Sequence, residues 1–288
     1  MKQYTVSTAL QPAIQRLRRA GCETPRLDAE IILAHALGKE RTWLYIYPQA
    51  GLDPAQKNQF LDLIARREQR EPVAYITGRK EFFSLEFLVN RHVLIPRPET
   101  ELLVEKVLQH AKERDTLSIS LADVGTGSGC IAVTLAKHLA KAFISAIDIS
   151  PQALQVARQN VRRHHVTARV ALILGDLLRP CKGPFDIIVS NPPYIGRAEL
   201  AMTPPEVRQY EPRSALAGGQ DGLEIIDQLL AQVRETLKPG GCFLMEMGAT
   251  QSQATISLAR GYFPKAKICL QRDLAGLDRI LRVERPIV

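Results

Sequence analysis

Asn191, Pro192, Pro193 and Tyr194 follow the apolar run 187–189 and Ser190. Prolines after a strand often mark no more than a turn, and a lone tyrosine often only fills space. Placed together at the carboxyl end of a strand, these four residues also suit the holding of a planar –NH2 group. The Asn191 side-chain oxygen accepts from one hydrogen of that group, and the Pro192 carbonyl, stiffened by the proline rings, accepts from the other. Tyr194 offers a flat face to the same plane. A delocalised nitrogen of this kind is barely nucleophilic. Chemistry on it needs alignment with an activated electrophile and acceptors for the developing charge, and it demands no general base.

A second constellation supplies such an electrophile. In "LADVGTGSGCIAV", Gly125, Thr126, Gly127, Ser128 and Gly129 end the first strand of an alternating region. Glycines there let the backbone approach a ligand, and the helix that follows presents free N–H groups. Asp148 ends the next strand, where a carboxylate accepts from both ribose hydroxyls of an adenosine-containing cofactor. The dinucleotide fingerprint would place glycine or alanine at 130, and Cys130 stands there instead. The G-x-G-x-G spacing is similar to the S-adenosyl-L-methionine loop of Rossmann-like methyltransferases, whose ligand has no pyrophosphate. A nucleotide cofactor or a plain turn are alternatives for the loop alone; Asp148 favours S-adenosylmethionine. Asp176 is expected to accept from the adenine amino group, with Leu177 flanking the ring, and the competing role for Asp176 is a helix N-cap.

These residues need a scaffold, and the hydrophobic patterning describes one. The region 1–72 reads as short helices: Thr24-Pro25 opens one that ends at Gly38, and Asp53 resembles the start of a capping box ahead of Phe60, Leu61 and Ile64. Residues 73–95 form a linker, hairpin-like around the polar Gly78-Arg79-Lys80. From 96 to 288 strands alternate with helices, with Ser150 as an N-cap before Pro151, which predicts a mostly parallel sheet covered on both faces. The last two strands, "AKICLQRD" and "DRILRVER", are joined by a link too short for a crossover helix and should pair antiparallel. The expected fold class is therefore α/β, a Rossmann-like class I methyltransferase domain with an antiparallel last strand, preceded by a small helical domain.

Composition narrows the functional classes. Hydrophobic residues make up 45% and charged residues 24% of 288, the balance of a soluble globular protein. No run is apolar enough to span a bilayer, and the start carries no secretory signal, so a cytoplasmic location is expected. Five cysteines without C-x-x-C spacing, and no H-E-x-x-H, favour neither a disulfide framework nor a metal site. The net charge of +8 raises encounter rates with anionic partners. The basic stretches 65–70 and 157–169 are either solvated helix faces or contacts to nucleic acid or to an RNA-bound protein.

The Asn-Pro-Pro-Tyr motif occurs both in adenine-N6 and in glutamine-N5 methyltransferases, and the rest of the chain separates them. "PRLDAEIILAHALG", "REPVAYITGRKEFFSLEFLVNRHVLIPRPETE", "ADVGTGSGCIAV", "AIDIS" and "VSNPPYI" together resemble the bacterial peptide chain release factor N5-glutamine methyltransferase family over nearly the full length. That resemblance implies methylation of the glutamine in the Gly-Gly-Gln loop of class 1 release factors, with a helical domain that recognises the factor. It also implies no membrane and no sequence-specific nucleic-acid binding. A ribosomal-protein glutamine methyltransferase and an adenine-N6 enzyme are the alternatives. The family's cofactor residues fall on 125–129, Asp148 and Asn191, and its substrate loop on 191–194. Arg97, Glu99 and Glu101 match "PRPETE" and are expected to border the cofactor pocket. Many relatives carry an aromatic residue where Leu177 stands. The chain's own Gly218-Gly219-Gln220 is expected to be a turn, and Cys130 is not expected to be a nucleophile.

Overall fold

The computed structural model describes residues 4–113 and 118–287. The chain divides into two compact units: Met1–Arg79 with Pro204–Tyr210, and Lys80–Thr203 with Glu211–Val288.

The first unit is helical. Its helices are Val6–Arg19, Pro25–Leu37, Arg41–Ile46, Pro54–Glu68 and Val73–Thr77, joined by the short Pro205–Tyr210. Thr5 and Asp53 each close a reciprocal capping box, and Gly38 ends the second helix with a left-handed φ of 61°. Thr24 departs from expectation: its hydroxyl donates to Asp28 (2.8 Å) and caps no backbone N–H. Leu17, Ile32, Leu33, Phe60 and Ile64 fill the core.

The basic run 65–70 is not simply a solvated face. Arg66 pairs with Glu71, and Arg70 donates to both oxygens of Glu206 at 2.6 and 2.7 Å. Arg67, almost fully buried, donates to Asp28 (2.8 Å) and Glu206 (3.0 Å). Three of its arginines are thus committed to internal carboxylates.

From Lys80 the second unit opens with a hairpin, whose strands are β1 (Arg79–Phe82, its first residue counted with the first unit) and β2 (Leu85–Leu88). Its turn lies at Phe83 and Ser84, both with positive φ (52° and 59°), and not at Gly78-Arg79-Lys80. Gly78 is spent on ending the Val73–Thr77 helix in the left-handed region, so the strand begins at the next residue. Phe82 and Phe87 then pack edge-on in the core.

The main sheet has seven strands: β3 (Ile119–Val124), β4 (Ala142–Asp148), β5 (Val170–Leu174), β6 (Phe185–Ser190), β7 (Leu237–Glu246), β8 (Lys267–Arg272) and β9 (Asp278–Glu284). Their order is β5-β4-β3-β6-β7-β9-β8, parallel throughout except for β9, which runs antiparallel to both neighbours. Alternate residues feed two apolar layers. Leu121, Ile144, Ile187 and Leu244 enter one, and Ala122, Ile147, Ile188 and Phe243 the other. Helices must therefore cover both faces, as the near-continuous apolar strands require. Strand order reverses between β3 and β6, which opens a crevice at their carboxyl ends. Among the described residues no helix is long and apolar enough to cross a membrane.

Candidate active site

Sheet register brings the separated motifs to one edge. Val124 lies opposite Ile147 of β4 and Ser190 of β6, so the residues that follow, Gly125, Asp148 and Asn191, leave adjacent strands side by side. Ser190 ties the two loops by donating to the Val124 carbonyl (2.8 Å). Gly125 comes so near Asn191 that a Cβ on it would stand 3.9 Å from the Asn191 carbonyl oxygen.

The glycine loop is built on left-handed backbone: φ is 74°, 55° and 79° at Gly125, Gly127 and Gly129. Gly125 and Thr126 both donate to Ile147 O, and Gly129 lies against Ala157 of the neighbouring helix with no room to spare. Asp148 receives Gly127 N–H (2.8 Å) and Ser150 N–H (2.9 Å), one on each oxygen. Burial raises its pKa against the pull of those two bonds. Ser150 also caps the following helix through Ala153 N–H, as its spacing predicts. Asp123, beneath the loop, is wholly buried; Thr126 hydroxyl and Ala132 N–H share one of its oxygens, and the other has no partner. Burial pushes that carboxyl up to about 7. An ungratified buried acceptor, a carboxylate at the end of β4 and a loop of left-handed glycines together fit an adenosine ligand with a cationic portion over the loop. Cys130 is buried with its thiol pushed up to about 12, the opposite of a nucleophile's environment.

The adenine end stands differently. Asp176 begins no helix; it lies in a turn and pairs with Arg179 (2.8 Å), which removes the N-cap alternative. Leu177 takes a positive φ of 52° and packs partly on the apolar layer that contains Leu178 and Phe185.

The loop 191–194 is held from two sides. Asn191 Nδ2 donates to the Thr100 hydroxyl (3.0 Å), Thr100 donates to Glu246 Oε2 (2.7 Å), and Tyr194 donates to Glu246 Oε1 (3.1 Å). Glu246 ends β7 and is 2% exposed; Thr100 is 3% exposed. Burial raises the Glu246 pKa despite these two bonds. Burial, then the neighbouring carboxylate, holds the Tyr194 phenol above its ordinary range, so it stays a donor. On the other side lies the Gly-Gly-Gln stretch. Ile195 N–H donates to Leu216 O and Gly218 N–H to Ile195 O (both 3.0 Å). Gln251 Nε2 bridges Tyr194 O (2.9 Å) and Asp221 O (3.2 Å). Gly218 and Gly222 are glycines because Cβ atoms there would stand 2.6 Å from Pro193 O and 2.1 Å from Tyr194 O. Residues 218–220 are thus a backing to the loop, and Gln220 contributes its main chain to it.

Within "PRPETE" the charged residues do not carry the polar contact with Asn191. Arg97 pairs with Glu211, Glu101 accepts from Phe83 N–H (2.8 Å), and Thr100 between them turns inward. Thr100, Glu246 and Gln251 were not singled out from sequence. Glu246 had a signal, an acid closing an otherwise apolar strand beside β6; Thr100 and Gln251 had none.

Comparison with known proteins places the chain. Two family models match, the PrmC N-terminal domain over 8–78 and the methyltransferase small domain over 98–203. The release factor glutamine methyltransferase of Moorella thermoacetica is 44% identical, with 96% of each chain covered. That of Nitratidesulfovibrio vulgaris is 43% identical over 99% of this chain and 96% of its own. The chain belongs to the release factor glutamine methyltransferase family. Among solved structures, a methyltransferase from Pyrococcus furiosus shares the fold, with a TM-score of 0.53 at 18% identity over 72% of this chain and 92% of that one. The family's full length is therefore spanned, helical part and sheet alike.

Proposed function

We propose that this protein methylates the side-chain amide nitrogen of the glutamine in the Gly-Gly-Gln loop of class 1 release factors, with S-adenosyl-L-methionine as donor. The observation that carries the reading is the convergence of Asn191 and Tyr194 with Gly125 and Asp148 on one sheet edge in a chain of this family. The donor supplies an electrophilic methyl group on a sulfonium. Asp148 would accept from its ribose, and Gly125 to Gly129, with Thr126 and Ser128 between, would leave room for its methionyl part. Asp176 and Leu177 are proposed neighbours of the adenine, Asp176 accepting from the amino group through the carboxylate oxygen that Arg179 does not hold.

The chain's own task is orientation. Asn191 Oδ1 and the Pro192 carbonyl accept the two amide hydrogens, and Pro193 keeps that backbone rigid. Tyr194, fixed through its hydroxyl, lies along the amide plane. Alignment of this sort can supply roughly 7–11 kcal/mol of a barrier. The two oxygens also meet the charge that develops on nitrogen, in a site lined by buried side chains. We further propose that the helical region 1–72 recognises the factor, that 73–95 links it to the catalytic region 96–288, and that the protein works in the cytoplasm.

The test is direct labelling. The protein is incubated with labelled S-adenosylmethionine and, separately, a class 1 release factor, its loop Gln→Ala variant, a ribosomal protein and nucleic acid. Label should appear on the first alone. Label on nucleic acid, or on the loop variant, would reject the reading.

A further inference from the structure

We propose that Thr100 and Glu246 are positioning residues that fix the Asn191 amide with its oxygen toward the substrate, and that this is how the site tells glutamine from glutamate. The inference rests on the reading that Asn191 meets the substrate amide.

An asparagine amide is nearly symmetric in shape, so packing alone does not decide which way it points. The hydrogen-bond chain decides it. A threonine hydroxyl has one hydrogen, and Thr100 gives it to Glu246 Oε2 at 2.7 Å. Its oxygen can then only accept, so the Asn191 atom 3.0 Å away must be Nδ2. Oδ1, on the other branch of the amide, is left as that side chain's acceptor. Glu246 cannot turn to another partner, because Tyr194 occupies its second oxygen at 3.1 Å. Thr100 and Glu246 are buried, so no water stands ready to satisfy a flipped amide. A flip would set Asn191 Oδ1 against a hydroxyl oxygen whose hydrogen is already committed.

The direction has a chemical consequence. A glutamine brings two N–H donors to Oδ1 and the Pro192 carbonyl. A glutamate brings only lone pairs, so acceptor would face acceptor, the kind of mismatch that polar sites reject strongly. The acceptor oxygen of Glu246, two hydrogen bonds away, is thus read out as the choice between an amide and an acid.

The experiment uses the full-length protein with Thr100→Val, Thr100→Ser and Glu246→Gln, a class 1 release factor as substrate, and the same factor with glutamate in its loop as competitor. Thr100→Val keeps the side-chain shape but releases the amide. Its kcat should fall about tenfold or more while cofactor Kd stays within about twofold, and the glutamate competitor should gain about tenfold relative to KM. Thr100→Ser, which keeps the hydroxyl, should retain most of the rate and the discrimination. Glu246→Gln, whose amide oxygen can still accept from Thr100 while its –NH2 donates to the Tyr194 hydroxyl, should keep more of the rate and discrimination than Thr100→Val. If that variant does not fold, the two Thr100 variants decide the matter between them. Wild-type kcat and discrimination in Thr100→Val, or equal losses in valine and serine, would overturn the inference. A wild-type protein that leaves the release factor unlabelled would overturn the functional reading and this inference with it.

Discussion

Replacing Gly218 with alanine tests whether the loop 191–194 is held in place from behind. A Cβ at 218 would stand 2.6 Å from Pro193 O and 2.8 Å from both Tyr194 Cα and Gly222 O. All three atoms are backbone, so no side-chain rotation relieves the contact. Restoring an ordinary separation of about 3.4 Å moves the Pro193 carbonyl by about 0.8 Å, and overpacking of this kind costs about 1–3 kcal/mol of stability. Pro192 is the preceding residue, joined by one planar peptide, so its carbonyl shifts too. Misplacement on the order of 1 Å in a reacting geometry costs about a hundredfold, and we expect kcat of Gly218→Ala to fall ten- to a hundredfold. Cofactor affinity should hold, because Gly125 and Asp148 leave different strands. Steady-state methylation of the release factor, cofactor titration and thermal unfolding are measured together. Gly261→Ala is the control: nothing lies within 4 Å of its Cβ, and it should be neutral or slightly stabilising. A Gly218→Ala protein with wild-type kcat and a lowered Tm would refute the reasoning, since the strain would then have been absorbed away from the loop.

Other consequences are as concrete. Asn191→Ala should lower kcat at least about a hundredfold with cofactor Kd nearly unchanged, and equal rates would show that the acceptor geometry is wrong. Asp148→Asn should weaken cofactor binding by about tenfold or more, read by calorimetric titration; unchanged binding would remove it from the ribose. Asp123 titrates near 7 when folded and near 3.9 when unfolded, so the folded chain keeps a proton that the unfolded chain loses. Its contribution is therefore present below about pH 4 and is lost as pH rises to about 7, by on the order of 4 kcal/mol at most. Asp123→Asn should remove that part of the slope in denaturant midpoints of the cofactor-free protein; parallel slopes would reject the assignment. Arg67→Ala strands the buried Asp28 carboxylate and should cost about 3–5 kcal/mol in chemical denaturation. A loss under about 1 kcal/mol would mean that Asp28 finds another partner.

Much of the sheet was legible because its strands are apolar on both faces and are punctuated by Gly125, Asp148 and Asn191 at the ends where chemistry sits. The antiparallel final pair followed from a link too short to cross over. The hairpin turn was misread, since Gly78 looks like a turn residue but is taken by a helix end, and Phe83 and Ser84 adopt positive φ without any compositional sign. The basic run 65–70 reads as surface until Asp28 and Glu206, distant in sequence, are seen to claim it. At the site, motif residues announced themselves, whereas Thr100, Glu246 and Gln251 act through contacts with sequence separations of 146, 91 and 57 residues. Such pairings depend on register between strands and carry no local signature.

Glu206 belongs to the first compact unit although it is encoded far downstream of that unit's other residues. A fragment stopping at residue 79 would keep Arg67 and Arg70 and lose the carboxylate both of them grip. Cut out as one continuous piece, the helical part would therefore leave Arg70 without the carboxylate that holds both its nitrogens. Anyone wanting it in isolation would have to splice the 204–210 segment back in, or replace Arg70 alone and leave Arg67 to its buried partner Asp28.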